Sequence, residues 1–158
     1  MICKYKPDIY IYHIKDEFFD KINDKGLMIS HENGRSRPTY FTIRYKDILW
    51  FIPLSSKIPK YQPIIDKKIK KYGSCKSIMI SEIANKKSVI LLQNAFPTLE
   101  KYIDHPHTIN GAPFRVADNL KDKILENFNS LLALKKQGIN LFFTDIDKIK
   151  EKMLDELK

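Results

Sequence analysis

The sequence has few cysteines and no long apolar run. Its 158 residues include two cysteines, Cys3 and Cys75, whose separation fits neither a zinc site nor a disulfide-rich secreted scaffold. No apolar run approaches the ~20 residues that a transmembrane helix requires. The N-terminus also lacks the apolar centre of a signal peptide. We therefore expect a reduced, cytoplasmic protein with no membrane partner.

Several catalytic signatures are also missing. The chain contains no HExxH, Walker A, GxGxxG or GxSxG motif. No cluster of carboxylates suited to Mg²⁺ stands out, and the segment Asp104-His105-Pro106-His107 has no third or fourth ligand at zinc-site spacing. These absences argue against nucleotide-dependent enzymes and serine hydrolases. They lead us to expect neither a metal nor a cofactor.

The composition predicts one globular domain spanning residues 1–158. Hydrophobic residues make up 43% of the chain and include nine Phe, eight Tyr and one Trp, enough to fill a core. The net charge of +9 predicts attraction to polyanions such as nucleic acids. The positive charge has an alternative explanation that does not involve nucleic acids. Lysine also fills solvent-exposed positions in proteins encoded by AT-rich genomes.

The central segment, residues 30–60, predicts a β-hairpin with polar groups at both ends. Residues 40–45 and 48–52 are β-branched and aromatic runs separated by a short polar step. A polar surface loop at 30–38 precedes the hairpin. Pro53 is predicted to end the second strand because proline has no N–H to donate. The triplet Ser55-Ser56-Lys57 follows directly.

The remaining pattern predicts an α+β fold. Pro59 and Pro63 are expected to keep residues 57–63 out of a helix. Thr98 and Thr144 are expected to cap helical segments. Apolar spacing predicts further strands at 9–14, 77–81 and 88–92, and helices at 16–23, 64–72, 98–103, 120–137 and 145–157, with a possible short strand at 27–29.

The predicted helix 64–72 carries a lysine stripe, which we define as Lys67, Lys68, Lys70 and Lys71. Ile65, Ile69 and Tyr72 are expected to face inward, with the rings of Tyr61 and Tyr72 at the borders of the stripe. Positive charge combined with stacking surface is typical of RNA sites. A solvated lysine face is the alternative interpretation.

Without metal ligands, phosphodiester cleavage would use the 2′-OH of RNA as the nucleophile. The protein must then supply a proton acceptor, a proton donor and cations for the charge on phosphorus. Lys57 and Arg37 are the candidate cations, and Ser55 and Ser56 are candidate hydroxyl donors. His31 is the nearby side chain whose ordinary pKa suits proton transfer near neutrality. Further candidates for RNA binding are Arg35, Tyr40, Lys60 and the lysine stripe.

Two other classes of function remain open at this point. A non-catalytic RNA-binding module would use the same lysine stripe but would tolerate loss of the Ser-Ser-Lys triplet. A structural or protein-interaction domain would make the basic charge incidental. From the residues alone, the RNA enzyme and the RNA-binding module are equally supported.

The phrase Arg-Pro-x-Tyr-Phe at 37–41, the hairpin, and Ile-Pro-Leu-Ser-Ser-Lys at 52–57 together resemble the ToxN/AbiQ family, the endoribonuclease toxins of type III toxin–antitoxin systems. The later phrase Val-Ile-Leu-Leu-Gln-Asn-Ala-Phe-Pro at 89–97 is most similar to the CptN branch. The resemblance spans most of the chain. It implies a compact, twisted antiparallel β-barrel decorated by helices, similar to the MazF and CcdB toxins.

The resemblance also implies site residues and partners. The family's hydroxyl pair falls on Ser55 and Ser56, its lysine on Lys57 with Lys60 not excluded, and its upstream basic residue near Arg37. The family's upstream tyrosine has no secure counterpart, since Tyr40 begins the strand, and the proton-transfer roles therefore stay open. The implied activity is metal-independent cleavage to a 2′,3′-cyclic phosphate and a 5′-OH. The implied partners are target RNA and a small repeat RNA antitoxin of pseudoknot type, in a cyclic or dimeric protein–RNA assembly.

Overall fold

A computed structural model of the chain describes residues 9–28, 31–32, 35–108, 111 and 116–158, and gives the backbone alone at 31, 32 and 35. The predicted α+β class is confirmed. The strands are β1 (Ile11–Ile14), β2 (His31–Glu32), β3 (Arg35–Ser36), β4 (Pro38–Tyr45), β5 (Ile48–Ser55), β6 (Met79–Ile83), β7 (Lys86–Ile90), β8 (Phe96–Leu99) and β9 (Ile103–Pro106). The helices are α1 (Asp16–Ile22), α2 (Ile58–Tyr72), α3 (Asp118–Lys136) and α4 (Ile146–Glu156).

Seven strands form one antiparallel sheet in the order β6-β7-β5-β4-β1-β9, with β8 also paired to β5. Within the described residues, the edge strands β6 and β9 do not pair, and the sheet is therefore open rather than the closed barrel that the resemblance implied. Strands β2 and β3 form a separate small hairpin inside the segment predicted to be a loop. This hairpin leads directly into β4.

The central hairpin forms as predicted but is longer. Lys46 at the turn adopts a positive φ of 55°, which lets the chain reverse in two residues. Strand β5 does not end at Pro53. It continues to Ser55, because Pro53 lies where β5 changes neighbours: Phe51 pairs with β8, whereas Leu54 and Ser55 pair with β7. A missing N–H is tolerated at such a junction.

Two apolar clusters hold the helices on the sheet. The larger contains most of β1, β4, β5 and β8 together with the buried faces of α1, α3 and α4. The smaller places Tyr61 and Ile65 of α2 against Ile78, Val89 and Leu91. Helix α2 therefore packs on the β7 side of the sheet and is anchored directly beyond the end of β5.

Helix α2 begins at Ile58, which corrects the prediction that residues 57–63 are non-helical. Pro59 lies in the first turn, where backbone N–H groups have no helical partner to lose. Pro63 lies inside the helix and removes one hydrogen bond. Burial of Tyr61 and Ile65, which are 5% and 8% exposed, offsets that cost. The predicted end of the helix at Tyr72 is confirmed, and Gly73 follows it with φ of 85°.

Other predicted boundaries shift because tertiary contacts override local signals. Helix α1 ends close to its predicted boundary, with Asn23 as a left-handed C-cap, whereas residues 27–28 form no strand. Thr98 belongs to β8 rather than capping a helix, and only a 3₁₀ turn at Glu100–Tyr102 is helical. The side chain of Asp145 caps α4, while the hydroxyl of Thr144 donates to the buried carbonyl of Ala95 at 2.6 Å.

Helices α3 and α4 follow their predicted apolar stripes. Leu120, Ile124, Phe128 and Leu131 are buried along α3, and α4 buries Ile146, Ile149 and Met153. Leu157 is 47% exposed, because it lies beyond the end of α4. Among the described ranges, no helix combines the length and apolar character needed to cross a membrane.

Candidate active site

The triplet Ser55-Ser56-Lys57 lies at the junction between β5 and α2. Ser55 is the last residue of β5 and is 5% exposed, and its hydroxyl accepts a hydrogen bond from the Lys57 N–H at 3.2 Å. Ser56 and Lys57 are exposed and precede the first turn of α2. The strand and the helix fix this junction from both sides. Ser56 and Lys57 therefore present a hydroxyl and an ammonium to solvent from a rigid backbone.

The N-terminus of α2 lies directly beside the triplet. Its dipole favours negative charge at that position. The backbone N–H of Ile58 already donates to Ser56 at 2.9 Å, and the N–H of Lys60 donates to Lys57 at 3.2 Å. Pro59 contributes no donor at all. An anion bound here would consequently depend on the side chains of Ser56 and Lys57 more than on backbone amides.

Arg37 connects the start of β4 to the end of β5. Its Nη1 atom donates to the carbonyl oxygen of Leu54 at 2.9 Å, and the residue is only 8% exposed. The predicted cation is thus adjacent to Leu54, the residue before Ser55. Its burial also gives it a structural role that the sequence analysis did not anticipate.

Two other predicted residues lie on the small hairpin. The backbone of His31 pairs with Ser36, and the backbone of Glu32 pairs with Arg35. The side chains of His31 and Arg35 lie outside the described part of the structure, and their predicted roles in proton transfer and RNA binding stay predictions. Lys60 is exposed in the first turn of α2, with Nζ 5.2 Å from the centre of the Tyr61 ring.

Tyr40 was predicted to bind RNA, and its position argues against that role. It is 2% exposed and its ring stacks on Tyr10 with the centroids 6.0 Å apart. Burial, the Tyr10 hydroxyl and the carboxylate of Asp122 all raise the pKa of the Tyr40 phenol. The Tyr40 ring therefore has no exposed face on which a nucleobase could stack, and its phenol stays protonated near neutral pH.

The lysine stripe is only partly a free surface. Lys67, Lys70 and Lys71 are exposed on α2, whereas Lys68 is half-buried and donates to the hydroxyl of Ser77 at 3.0 Å. Two predicted inward-facing residues are also exposed, Ile69 at 46% and Tyr72 at 68%. They are exposed because α2 meets the sheet through Tyr61 and Ile65, so that the last turn of the helix extends past the sheet. Tyr72 beside Lys71 keeps the predicted combination of ring and charge.

A cluster of three histidines lies across β4 from the end of β5. The Nε2 atom of His13 is 2.7 Å from Nδ1 of His107, and its Nδ1 atom is 2.9 Å from the hydroxyl of Ser36. The rings of His13 and His105 stack with centroids 4.5 Å apart. The sequence has only four histidines, and the backbone of the fourth, His31, pairs with Ser36.

Two members of the cluster, His13 and His107, have lowered pKa values that favour the neutral form. Burial and the neighbouring rings of His105 and His107 lower the pKa of His13 to about 4, against a smaller opposing effect of Asp104. Burial, His105 and the ammonium of Lys86 also lower the pKa of His107. The arrangement does not surround an ion. Two imidazole nitrogens bound to one zinc lie about 3.3 Å apart at the usual Zn–N distance, whereas these nitrogens share a hydrogen bond.

This convergence was not predicted from the sequence. His13 lies in the predicted strand 9–14, and His105 and His107 were considered only as metal ligands. The two-residue spacing of His105 and His107 puts both on one face of a strand, which is a local signal. Their meeting with His13 depends on the pairing of β1 with β9, which is set by contacts about 90 residues apart. No local pattern predicts that pairing.

The described residues also form a groove away from this end of the sheet. A groove of about 690 Å³ between the central hairpin, α3 and α4 is lined by Tyr45, Trp50 and Lys135 among others. Two of its lining residues, Tyr45 and Ile48, flank the turn of the central hairpin. At the usual rise per residue, Ile48 lies about 23 Å from Ser55 along β5. Cys75 is a half-buried free thiol. Within the described ranges, no group of three or more His, Cys, Asp or Glu is arranged to hold a metal ion.

Comparisons with known proteins identify the fold. No family model matches the sequence, and no curated protein matches it. Among solved structures, the chain is similar to AbiQ, a lactococcal anti-phage endoribonuclease belonging to the type III toxin–antitoxin system. The TM-score is 0.72 at 15% sequence identity, covering 95% of this chain and 99% of AbiQ. The chain therefore has the AbiQ fold over nearly its whole length.

Proposed function

We propose that the protein is an endoribonuclease toxin of a type III toxin–antitoxin system that acts in phage defence. The observation that carries the proposal is the Ser55-Ser56-Lys57 junction, held between β5 and α2 of an AbiQ-like fold with Arg37 beside it. The resemblance of the same residues to the catalytic segment of the ToxN/AbiQ family supports it independently. Similarity to the CptN branch remains part of the proposal, as does the single-domain organisation.

The proposed reaction uses the RNA's own 2′-OH. Its oxygen attacks the adjacent phosphorus, the bond from phosphorus to the 5′-oxygen breaks, and the products are a 2′,3′-cyclic phosphate and a 5′-OH. The Ser56 hydroxyl and the Lys57 ammonium would stabilise the charge that develops on the phosphoryl oxygens. Arg37 would hold the end of β5 in position and add positive potential. No metal or cofactor is assigned a role.

The proposed inhibitor and second substrate is a small repeat RNA with a pseudoknot fold, bound in a cyclic or dimeric protein–RNA assembly. Lys60 and the exposed members of the lysine stripe extend the positive surface along α2, away from the triplet. Helix α2 is about 22 Å long at the usual rise per residue. A bound RNA could therefore contact several lysines while one phosphodiester lies at Ser56. A tandem repeat array in the DNA just upstream of the gene would identify the antitoxin.

The test is end-group analysis of total bacterial RNA incubated with purified protein. We expect new 5′-OH and cyclic phosphate ends, formed equally with and without EDTA. Ser56→Ala and Lys57→Ala should each lower the cleavage rate by about 10²–10³. Ser74→Ala and Lys123→Ala are matched controls, because both are exposed residues away from the triplet. Comparing Lys57→Ala with Lys60→Ala decides which lysine acts in catalysis.

Three outcomes would contradict the proposal. They are an absence of cleavage, a strict requirement for Mg²⁺, and 5′-phosphate products. Induced expression without the upstream repeats should also arrest growth, and Ser56→Ala should relieve the arrest. Normal growth with intact cellular RNA would point to the second candidate, a non-catalytic RNA-binding module, which the exposed lysines of α2 also support.

A further inference from the structure

The groove between the central hairpin and helices α3 and α4 has an apolar floor. Ile48 and Trp50 of β5, Phe128 of α3 and Ile146 of α4 form this floor, and each of them is at most 8% exposed. The rings of Trp50 and Phe128 pack against each other with their centroids 5.6 Å apart. Because both rings are buried and packed together, neither presents a free face to a planar ligand. The floor suits aliphatic side chains better.

Exposed apolar side chains border this floor. Ile43 and Tyr45 of β4 are 36% and 61% exposed, and Leu132 of α3 is half-buried. A concave apolar surface that continues into exposed apolar side chains is typical of an interaction site. The groove therefore has the character of a binding surface.

Positive charge lies on both helices that form the groove. Lys135 and Lys136 belong to α3 and Lys150 belongs to α4, and all three line the groove. Among the lining residues that the structure describes, Asp147 is the only acid, and its carboxylate is 2.8 Å from the ammonium of Lys135. The charges of Lys136 and Lys150 are therefore not offset within the lining. A ligand that complements the groove must combine an apolar side with carboxylates or other anions.

We propose that the groove binds an acidic amphipathic helix of a partner protein. The apolar side chains of that helix would lie on the floor, and its carboxylates would lie beside Lys136 and Lys150. This mode of recognition, in which the apolar face of a helix enters a groove, uses anchors at positions i, i+3 or i+4, and i+7. The inference goes beyond the proposed function, because it adds a protein to the RNA partners proposed above.

The length of the groove fits two turns of such a helix. Its lining on α3 extends from Phe128 to Lys136, which is about 12 Å at the usual rise per residue. Two turns of a docked helix measure about 11 Å. A single strand of RNA is a poorer match, because RNA sites present several exposed ring faces for stacking. Among the described lining residues, Tyr45 is the one aromatic residue with an exposed ring.

The position of the groove leaves the Ser-Ser-Lys junction accessible. Ile48 in the floor lies about 23 Å along β5 from Ser55, at the other end of the strand. A two-turn helix in the groove would therefore not cover Ser56 or Lys57. The partner would hold the protein at a location or in a complex without blocking the junction.

Trp50 provides the readout for the test, because it is the single tryptophan of the sequence and lies in the floor. The probe is a designed peptide of about 14 residues without tryptophan, with Leu at i, i+3 and i+7 and Glu beside them. Binding to the full chain should shift the Trp50 emission to shorter wavelength in a saturable way, since the docked helix excludes water. A peptide of the same composition in scrambled order, and one with Lys in place of Glu, should each bind at least about tenfold more weakly.

Variants of the groove test both of its properties. The double variant Lys136→Glu with Lys150→Glu should weaken binding of the acidic peptide by about tenfold or more. Tyr45→Ala should weaken it by a similar factor, because it removes an exposed ring at the border of the floor. Lys123→Glu with Lys148→Glu is the matched control, since it makes the same change of net charge on the same two helices outside the groove. Its affinity should stay within about threefold of wild type. Circular dichroism melts should show that all variants are folded.

Three outcomes would overturn the inference. The first is equal binding of the acidic and scrambled peptides. The second is an equal loss of affinity in the two double variants, which would show attraction to net charge alone. The third is an oligouridylate that shifts the Trp50 emission of the Ser56→Ala protein and displaces the peptide, which would make the groove an RNA site. None of these measurements uses RNA cleavage, so that failure of this inference leaves the endoribonuclease proposal standing. A protein that binds the peptide but cleaves no RNA would contradict only the proposed function.

Discussion

The guanidinium of Arg37 donates to the carbonyl oxygen of Leu54, at the position where β5 leaves β4 and pairs with β7. This bond satisfies a buried carbonyl next to Ser55, and it joins the segment before β4 to the junction that carries Ser56 and Lys57. A residue predicted from the sequence as a cation for phosphate is therefore also part of the framework that positions the hydroxyls.

Arg37→Lys is expected to lower the free energy of unfolding by about 1–3 kcal/mol, because the shorter donor leaves the Leu54 carbonyl without its hydrogen bond. Urea denaturation followed by circular dichroism measures the change. Arg44→Lys is the matched control on the same strand, since Arg44 is exposed and contacts the Lys46 carbonyl at 2.8 Å and the Glu100 carboxylate at 3.6 Å at the protein surface. Its effect should stay within about 0.5 kcal/mol. Equal stability of both variants would contradict a framework role for Arg37.

Charge reversal of Lys67, Lys70 and Lys71 to Glu should weaken RNA binding in a salt-dependent way. Each lost phosphate contact should reduce the slope of log affinity against log salt by about 0.7–0.9. Filter binding of the Ser56→Ala protein to total bacterial RNA at several salt concentrations measures the slope without cleavage. Unchanged affinity at low salt would make the stripe an ordinary solvated surface.

A triple reversal at Lys123, Lys136 and Lys148 is the control for net charge, because these exposed lysines lie on α3 and α4. This variant should change the slope of log affinity against log salt less than the charge reversal of the three α2 lysines does. Lys68→Ala should behave differently from its neighbours. Its ammonium bonds to Ser77, so that its loss should lower stability by about 1 kcal/mol and leave the salt slope nearly unchanged.

Acid should destabilise the protein in two separate pH ranges. His13 has a pKa of about 4 in the folded state and about 6.5 when unfolded, so that the unfolded chain binds more protons between these values. The free energy of unfolding should therefore fall as the pH drops from 6.5 to 4, by up to about 3 kcal/mol. His13→Gln should remove most of this slope in denaturation curves, and an unaltered slope would contradict the assignment.

Protonation of Glu156 destabilises the protein in the lower of the two pH ranges. Burial raises the pKa of its carboxyl, but hydrogen bonds from Lys101, Tyr102 and Lys21 outweigh burial and lower it to about 2. Its contribution to stability is present above the unfolded pKa of about 4.5 and is lost as the pH falls toward 2. Glu156→Gln should flatten only this lower part of the curve. Loss of the upper part instead would show that the two residues had been assigned to the wrong ranges.

Gly26→Ala is expected to destabilise the fold by roughly 3 kcal/mol or more, because a Cβ at this position would overlap the backbone of Phe143 and Thr144. The same glycine carbonyl accepts from Asn94 at 2.7 Å, so that the backbone has little freedom to move away. Gly138→Ala is the matched control, since open space surrounds that position and only its φ of 92° is strained. Thermal melts that rank Gly138→Ala as the more damaging change would contradict the close approach at Gly26.

Local signals predicted those parts of the fold that local forces build. The central hairpin, the apolar spacing of α3 and α4, and the end of α2 at Tyr72 were all predicted because strand pairing across a tight turn and helix periodicity are short-range properties. The triplet Ser55-Ser56-Lys57 was predicted to follow the second strand closely, but its place between the end of β5 and the beginning of α2 was not predicted, because Pro53 and Pro59 were taken as breakers.

The errors have physical causes that a single sequence does not reveal. Pro53 and Pro59 were taken as breakers, yet one lies where β5 changes neighbours and the other lies in a first helical turn. Tyr40 was treated as a surface ring because burial depends on α3 and on Tyr10, which are distant in sequence. The histidine cluster depends on β1 pairing with β9.

The position of α4 has a consequence for the order in which the chain can fold. Met153 of α4 is fully buried, with its sulfur 3.9 Å from the hydroxyl of Thr98 in β8, and β8 in turn pairs with β5. A nascent chain still lacking α4 leaves β8, which pairs with the strand that ends at Ser55, uncovered where Met153 packs against it. The Ser55-Ser56-Lys57 junction would therefore reach its final packing only after residue 153 has emerged from the ribosome. Under the proposed function, the ribosome and messenger RNA that produce this protein would not encounter a complete active site before that point.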